Sequence, residues 1–229
     1  MAENFAFTKS IDKANAGEQY NIKKATHVLQ MYNARGLRPA VDMKRLYKWA
    51  TGNGLPDGHT VLTNSVAASL TKDNILQMIF EASAAMSDKL VPLENRALFI
   101  SELDFVKFNL ASVVMGGSQL NAGVIRKGYS GTIDGLTVVR VPSSYMPTNV
   151  GFILKYKGAT VDPIKLKTLR VQKDPLGVDG DVLEGHLEYD AFVVDTWRSG
   201  VYVYKTAASD IAIGTGASAL IATSTSTST

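Results

Sequence analysis

The 229-residue sequence contains no cysteine, which excludes disulfides, thiol nucleophiles and thiolate metal sites together. Histidine is scarce as well. His27, His59 and His186 are far apart, so none has the spacing of a metal-ligand motif. There is no run of about 18 apolar residues, so no helix of this sequence is expected to span a membrane. The first ten residues, Met-Ala-Glu-Asn-Phe-Ala-Phe-Thr-Lys-Ser, lack the apolar segment of a secretory signal, and the chain is expected to be made and kept in a cytoplasm. Charged residues make up 20% and hydrophobic ones 45%, which is the balance of a globular chain rather than a disordered one. Length then bounds the answer at one domain, or one domain with a lobe.

The net charge of +3 is unevenly spread. Residues 1–50 carry nine Lys and Arg (Lys9, Lys13, Lys23, Lys24, Arg35, Arg38, Lys44, Arg45 and Lys48) against the four acids Glu3, Asp12, Glu18 and Asp42. The rest of the chain is slightly acidic. Such an excess marks either a surface facing nucleic acid or an acidic partner, or an ordinary solvated helix face.

Hydrophobic rhythm divides the chain into a helical first part and a strand-rich second part. Residues 4–8 alternate as a short strand. Residues 18–50 read as a long helix, with Tyr20, Ile22, Ala25, Val28, Leu29 and Tyr32 on one stripe, and Gly36 and Pro39 predict a kink or break. At about 1.5 Å per residue such a helix would span roughly 50 Å, long enough to act as a backbone for other parts. The turn-rich stretch 51–58 ends this unit. Thr71 is placed to cap a second helix through its hydroxyl. On that helix Ile75, Met78, Ile79, Ala82 and Met86 form an apolar stripe that stops before Pro92. Residues 96–100 read as a buried strand, and Ser101 as the cap of a short helix reaching Ala111. Strands follow at 131–141, 151–156, 165–173, 181–194 and 200–205, the last two reading as a hairpin. Helices first and strands later give an α+β class. The end, Thr223-Ser-Thr-Ser-Thr-Ser-Thr229, is low-complexity and cannot bury a core.

Enzyme motifs are tested and fail. Gly214-Thr-Gly216-Ala-Ser-Ala219 has the glycines of a dinucleotide fingerprint, but the chain ends ten residues later, before the required strand and acid. Gly123–Gly128 has phosphate-loop spacing, yet Tyr129 stands where a lysine must reach the phosphates. Gly128-Tyr-Ser130-Gly131 is one residue short of a nucleophile elbow. A serine hydrolase would need His59 or His186 folded beside Ser130 with an acid behind it. Asp174, Asp179, Asp181 and Glu184 do not match the spacing of a calcium loop. No catalytic, metal or cofactor site is assigned.

Four blocks remain. Pro39-Ala-Val-Asp42-Met-Lys-Arg-Leu-Tyr47 resembles a "P-E-I-D-x-Y-R" stretch, and Val91-Pro-Leu-Glu-Asn-Arg96-Ala-Leu-Phe-Ile100 resembles "V-P-x-x-x-R-x-x-x-V". Gly128-Tyr-Ser-Gly-Thr-Ile133-Asp-Gly135-Leu-Thr-Val-Val139 is similar to "G-x-I-x-G-x-x-V". Gly180-Asp-Val-Leu-Glu-Gly185-His-Leu-Glu-Tyr189-Asp-Ala-Phe-Val193-Val, with Gly200-Val-Tyr202 beyond it, is similar to a closing "G-x-x-x-G-x-x-Y-D-A-x-V" hairpin. In this order, over residues 4–205, they resemble the major capsid proteins of tailed bacteriophages with the Hong Kong 97-like fold.

The resemblance implies a long spine helix, an axial α/β lobe and a peripheral antiparallel strand set. Residues 1–17 would be the end of an extended loop, 18–60 with 178–208 the peripheral domain, 61–177 the axial domain and 209–229 a tail. It implies that the N-terminal arm and most of the extended loop are lacking, so that this chain alone would be monomeric or weakly associating. The implied function is structural: hexamers and pentamers of itself closing an icosahedral shell around DNA in a virion, made in a bacterial host cytoplasm. Portal, scaffolding or decoration proteins would be further partners. Lys23, Lys24, Arg35 and Arg38 would face packaged DNA or neighbouring subunits. An encapsulin-type compartment shell is the alternative within the fold, and a serine hydrolase using Ser130 the alternative outside it.

Overall fold

The computed structural model describes residues 3–12, 25–114, 132–133, 135–173, 175–177 and 180–215. Helices and strands are mixed throughout, and the chain packs as two compact units. Of the described residues, unit 1 holds those within 3–42 and 162–190, and unit 2 those within 43–161 and 191–215.

Unit 1 is a three-stranded antiparallel sheet with a helical layer. Strand β1 (Glu3–Asp12) pairs with β9 (Gly180–Tyr189) along all its length, from Glu3 opposite Tyr189 to Asp12 opposite Gly180. Strand β8 (Ile164–Lys173) lies along the other side of β9. The first strand is therefore longer than the expected residues 4–8. The helical layer begins with α1 (Ala25–Tyr32), passes through a π-turn at Asn33–Leu37 and continues as α2 (Arg38–Thr51). Leu37 and Val41 meet Leu187 and Tyr189, with Phe5 and Leu169 at the margin. Phe7 packs its ring 4.4 Å from that of Tyr32 and lies over Gly185, where a Cβ would overlap the ring.

The break expected at Gly36 and Pro39 is instead that π-turn. Arg38 donates its N–H to Asn33 O, one residue further back than in an α-helix. The wider turn accommodates the ring of Pro39, which would otherwise press on the carbonyl four residues earlier. Of the expected stripe, Leu29 is buried and Tyr32 half-buried, while residues 18–24, with Tyr20 and Ile22, lie outside the described ones.

Unit 2 is built on a six-stranded mixed sheet among the described residues, in the order β2-β11-β6-β3-β5-β4. These strands are β2 (Leu62–Thr63), β3 (Arg96–Ser101), β4 (Thr132–Ile133), β5 (Leu136–Val141), β6 (Val150–Tyr156) and β11 (Val201–Lys205). A separate antiparallel pair in the same unit is β7 (Thr160–Val161) with β10 (Phe192–Val193). The two-residue period of a strand sorts its side chains onto two faces. Leu98, Ile100, Val138, Phe152, Leu154, Tyr202 and Tyr204 face helices α3 (Ile75–Ser87) and α4 (Glu102–Val114). Ile153, Val201 and Val203 lie in a second cluster with Leu46, Trp49 and Ala50 of α2 and with Ala191 and Val193. Both faces of the sheet are covered.

The expected stripe of α3 is the core of this unit. Ile75, Ile79, Ala82 and Met86 are each at most 1% exposed. Ser101 caps α4 as expected: its Oγ accepts the Asp104 N–H at 3.1 Å and donates to Asp104 Oδ2 at 2.8 Å. Thr71 does not cap α3 through its hydroxyl. Its carbonyl accepts the Ile75 N–H, and Asn74 Oδ1 accepts the Thr71 N–H at 2.8 Å. A side chain at Asn74 thus organises the turn that Thr71 was expected to organise.

The expected hairpin of 181–194 with 200–205 does not form. Strand β11 pairs antiparallel with β6 and parallel with β2, while β9 pairs with β1 and β8. The alternation from Leu187 to Val193 continues across the break at Asp190, but Leu187 and Tyr189 serve the core of unit 1 and Ala191 and Val193 that of unit 2. The 3₁₀ segment Asp195–Gly200 then leads into β11. Alternation assigns faces and says nothing of partners. Strand β9 forms its hairpin with β8 instead, so the strands on either side of the boundary expected at 177/178 share one sheet.

Arg96 is fully buried and its guanidinium makes a set of short bonds. Nε donates to Pro92 O at 2.8 Å, one terminal nitrogen to Ser83 O and Ser83 Oγ at 2.9 and 3.0 Å, and the other to Ser87 Oγ and Val91 O at 3.0 and 2.6 Å. It ties the last turns of α3, the following turn and the start of β3 together.

Two expected outcomes follow from this packing. Met86→Ala costs about 2–5 kcal/mol of unfolding free energy, because a fully enclosed side chain leaves a cavity. Arg96→Lys keeps the charge but cannot reproduce the planar fork, and costs about 2–4 kcal/mol. Urea unfolding followed by circular dichroism checks both, and a loss under about 0.5 kcal/mol at either position contradicts the packing described.

Candidate functional site

The three histidines are not brought together. His27 is exposed on α1, and His186 Nε2 lies 2.9 Å from Asn4 Oδ1 across the β9–β1 pairing of unit 1. His59 is in unit 2, where its Nδ1 stands 2.6 Å from Asp195 Oδ1. Arg198 joins them, with one guanidinium nitrogen 2.8 Å from His59 Nδ1 and 3.3 Å from Asp195 Oδ1. His59 thus has an acid behind it, as a hydrolase would require. Its side chain is 39% exposed and Asp195 43%, so the pair stands in solvent rather than in a water-excluding pocket. Ser130 lies outside the described residues, as do Gly123–Tyr129. The arrangement ties the loop before β2 to the 3₁₀ segment before β11. Its members are 136 residues apart, and no local signal in the sequence announces it.

The other motifs resolve into packing. Gly214 approaches the backbone of the 144–146 turn so closely that a Cβ would meet the carbonyl oxygens of Ser144 and Met146. That close approach accounts for a glycine there without a phosphate. Residues 216–219 of the same motif lie outside the described ones. Of the acidic stretch, Asp174 and Asp179 also lie outside. Glu184 is on β9, where it receives Arg170 Nε at 2.5 Å. Among the described residues no three His, Asp or Glu side chains converge as a metal site. A shallow, open recess of about 370 Å³ lies on unit 1, lined by Phe7, Thr168, Arg170, Glu184 and His186 among others. Its charged walls are already paired with each other.

Of the four basic residues singled out, Arg35 and Arg38 are exposed, three positions apart, in the middle of the π-turn and at the start of α2. Lys23 and Lys24 lie outside the described residues. No helix among the described residues is long and apolar enough to cross a membrane.

One surface was not singled out by sequence reasoning. Helix α4 buries Phe105, Phe108 and Ala111, yet Leu103, Val106 and Leu110 are 68%, 52% and 52% exposed. The signal in the sequence is an apolar residue count too high for one stripe. At its N-terminal end Glu102 pairs with Arg140, whose guanidinium sits 4.7 Å above the Phe105 ring.

Two carboxyls are held below the usual carboxylate range. Hydrogen bonding from Arg140 lowers Glu102, and hydrogen bonding from His59, then Arg198, lowers Asp195. A carboxyl lowered in the folded state contributes stability above its unfolded value of about 4, and that contribution is lost as pH falls through the folded value. The melting temperature therefore falls as pH drops from about 5 to about 3, and the acid-side fall is smaller in Glu102→Gln and in Asp195→Asn. Thermal melts across that window check it. An acid limb identical to the parent's in both variants contradicts it.

Comparison with protein-family models finds no match, and comparison with curated proteins finds none. Solved structures do match. A structure of Mycobacterium phage Che8 is similar with a TM-score of 0.70 at 16% identity, over 90% of this chain and 71% of that one. The capsid structure of the cyanophage P-SCSP1u is similar with a TM-score of 0.59 at 16% identity, over 90% and 72%. A virus-like particle from Pyrococcus furiosus is similar with a TM-score of 0.53 at 12% identity, over 88% and 74%. The chain shares its fold with these structures, which include a phage capsid.

Proposed function

We propose that the chain is a shell-forming subunit, the major capsid protein of a tailed bacteriophage or prophage head, and not an enzyme. The observation that carries this is the fold likeness over 90% of the chain to structures that include a phage capsid. Low identity leaves the side chains to this sequence. The finer reading is the Hong Kong 97-like form of the fold, with a peripheral and an axial domain and residues 209–229 as a tail. In it the chain meets copies of itself in hexamers and pentamers, with portal, scaffolding or decoration proteins as further partners. Its place is the virion, after synthesis in a host cytoplasm. Solvent exposure of the His59–Asp195 pair supports the non-enzymatic reading, since general-base chemistry gains most where water is excluded.

Negative-stain microscopy and sedimentation from micromolar to millimolar concentration test the proposal. The chain alone is expected to be monomeric at micromolar concentration and to associate weakly, into rings of five or six, only towards millimolar concentration. A chain that stays monomeric at millimolar concentration overturns the proposal, and closed shells at micromolar concentration overturn the expectation that the arm and extended loop are needed. Particles that protect protein cargo but no DNA favour the compartment reading, and hydrolysis abolished by Ser130→Ala favours the enzyme reading.

Lys23, Lys24, Arg35 and Arg38 face packaged DNA in this reading. Phosphate contacts read no sequence and release condensed counterions. Two to four such contacts give a plot of log affinity against log salt with a slope of about −2 to −4. Binding by the isolated chain is weak, sequence-blind and lost near physiological salt, and a shell multiplies it by avidity. Lys23→Glu with Lys24→Glu flattens the slope by about 2. Fluorescence anisotropy with random-sequence DNA measures it. An unchanged slope assigns the two lysines to contacts other than DNA.

A further inference from the structure

We infer that the outward row of α4, formed by Leu103, Val106 and Leu110, is a seam against a second copy of this chain. The inference rests on the shell reading above and adds to it which side chains meet. A helix with one covered face needs one apolar stripe. In α4 that stripe is Phe105, Phe108 and Ala111, each 7% exposed or less and packed into the core shared with α3 and the sheet. Leu103, Val106 and Leu110 stand at the i, i+3 and i+7 positions of the opposite side and contribute nothing to that core. An apolar helix face left in water costs free energy in proportion to its area, so a helix apolar on two sides is covered on two sides in its working state.

Two observations decide what covers it. The first is charge. Glu102 is paired with Arg140, and Asp104 with Lys107 at 2.7 Å, so ion pairs within the subunit already balance the flank of the row. Such a flank offers a polyanion no set of cations to neutralise, which sets this face apart from the basic one assigned to DNA. The second is area. Three side chains exposed to this degree present roughly 300 Å², against about 800 Å² per partner in a stable protein pair. A contact of that size does not hold a free pair or a separate protein partner. It holds where it is repeated around a closed ring, because each copy is then gripped by neighbours on two sides. A second copy of this chain in a ring is the occupant that a small, neutral, apolar row fits.

The absence of cysteine makes the test direct, since Val106→Cys introduces the sole thiol. That chain is labelled with an environment-sensitive fluorophore and mixed with unlabelled chain from micromolar to millimolar concentration, with sedimentation run on the same samples. Emission is expected to shift to the blue as larger species appear. Placing Leu110→Glu in the labelled chain weakens that response about tenfold or more, with an unchanged circular-dichroism spectrum. Association seen by sedimentation with no change at the label, or an unweakened response in the Leu110→Glu chain, overturns the seam and leaves the shell reading standing. No association by either measure up to millimolar concentration overturns both.

Discussion

A buried guanidinium bonded to carbonyls and hydroxyls sets the geometry of unit 2. Arg96 begins the strand that lies between β6 and β5 in the sheet, and its donors reach the last turns of α3 and the turn that connects them. Bonds from a charged donor in a low-dielectric interior are stronger than neutral ones, and an unmet donor there is costly. The connecting turn is consequently fixed. It carries Leu90 and Asn95 in the left-handed region, with φ of 61° and 59°, a conformation that costs about 1 kcal/mol or more for a leucine and persists only where surroundings over-determine it. The positive charge also sits where the carbonyls of α3 end, the favourable end of a helix dipole for a cation. Once that corner is fixed, the stripe of α3 falls on Leu98, Ile100, Phe152 and Leu154.

This gives the "V-P-x-x-x-R" block a physical meaning. Val91 and Pro92 each supply a carbonyl to Arg96, and the spacing is that needed for the chain to turn back on its own side chain. The glycine of the last block is similar in kind, since Gly185 makes room for the Phe7 ring from the strand alongside. Arg96 and Gly185, each from a block that resembles a capsid-family motif, are thus requirements of packing.

What was legible in the sequence was what depends on near neighbours. The period of Ile75, Ile79 and Met86 named a buried face, and Ser101 named a helix start, because both are decided within a turn or two of chain. The partner of β11 was not legible, since alternation at Val201 and Val203 fits any sheet with two covered faces. Nor was the His59–Asp195 contact, whose two halves have no pattern in common. Charge was read correctly as an excess near the N-terminus, and Arg35 and Arg38 are exposed. What they face depends on molecules beyond the chain. The second apolar row of α4 was in plain view, but a residue count cannot say which of two faces is covered.

The π-turn at Asn33–Leu37 has a consequence for how this chain tolerates change in length. A π-turn carries one residue more than the α-helical turn it replaces. Removing a residue from an ordinary helix rotates everything beyond it by about 100° and turns an apolar face towards water. Removing one from this turn instead converts it to regular helix and keeps Leu29 and Val41 on their buried sides, but it also sets the Pro39 ring against the carbonyl four residues earlier. Deletion in this turn is therefore mild only when Pro39 is replaced as well, so the extra residue and the proline are tolerated as a pair.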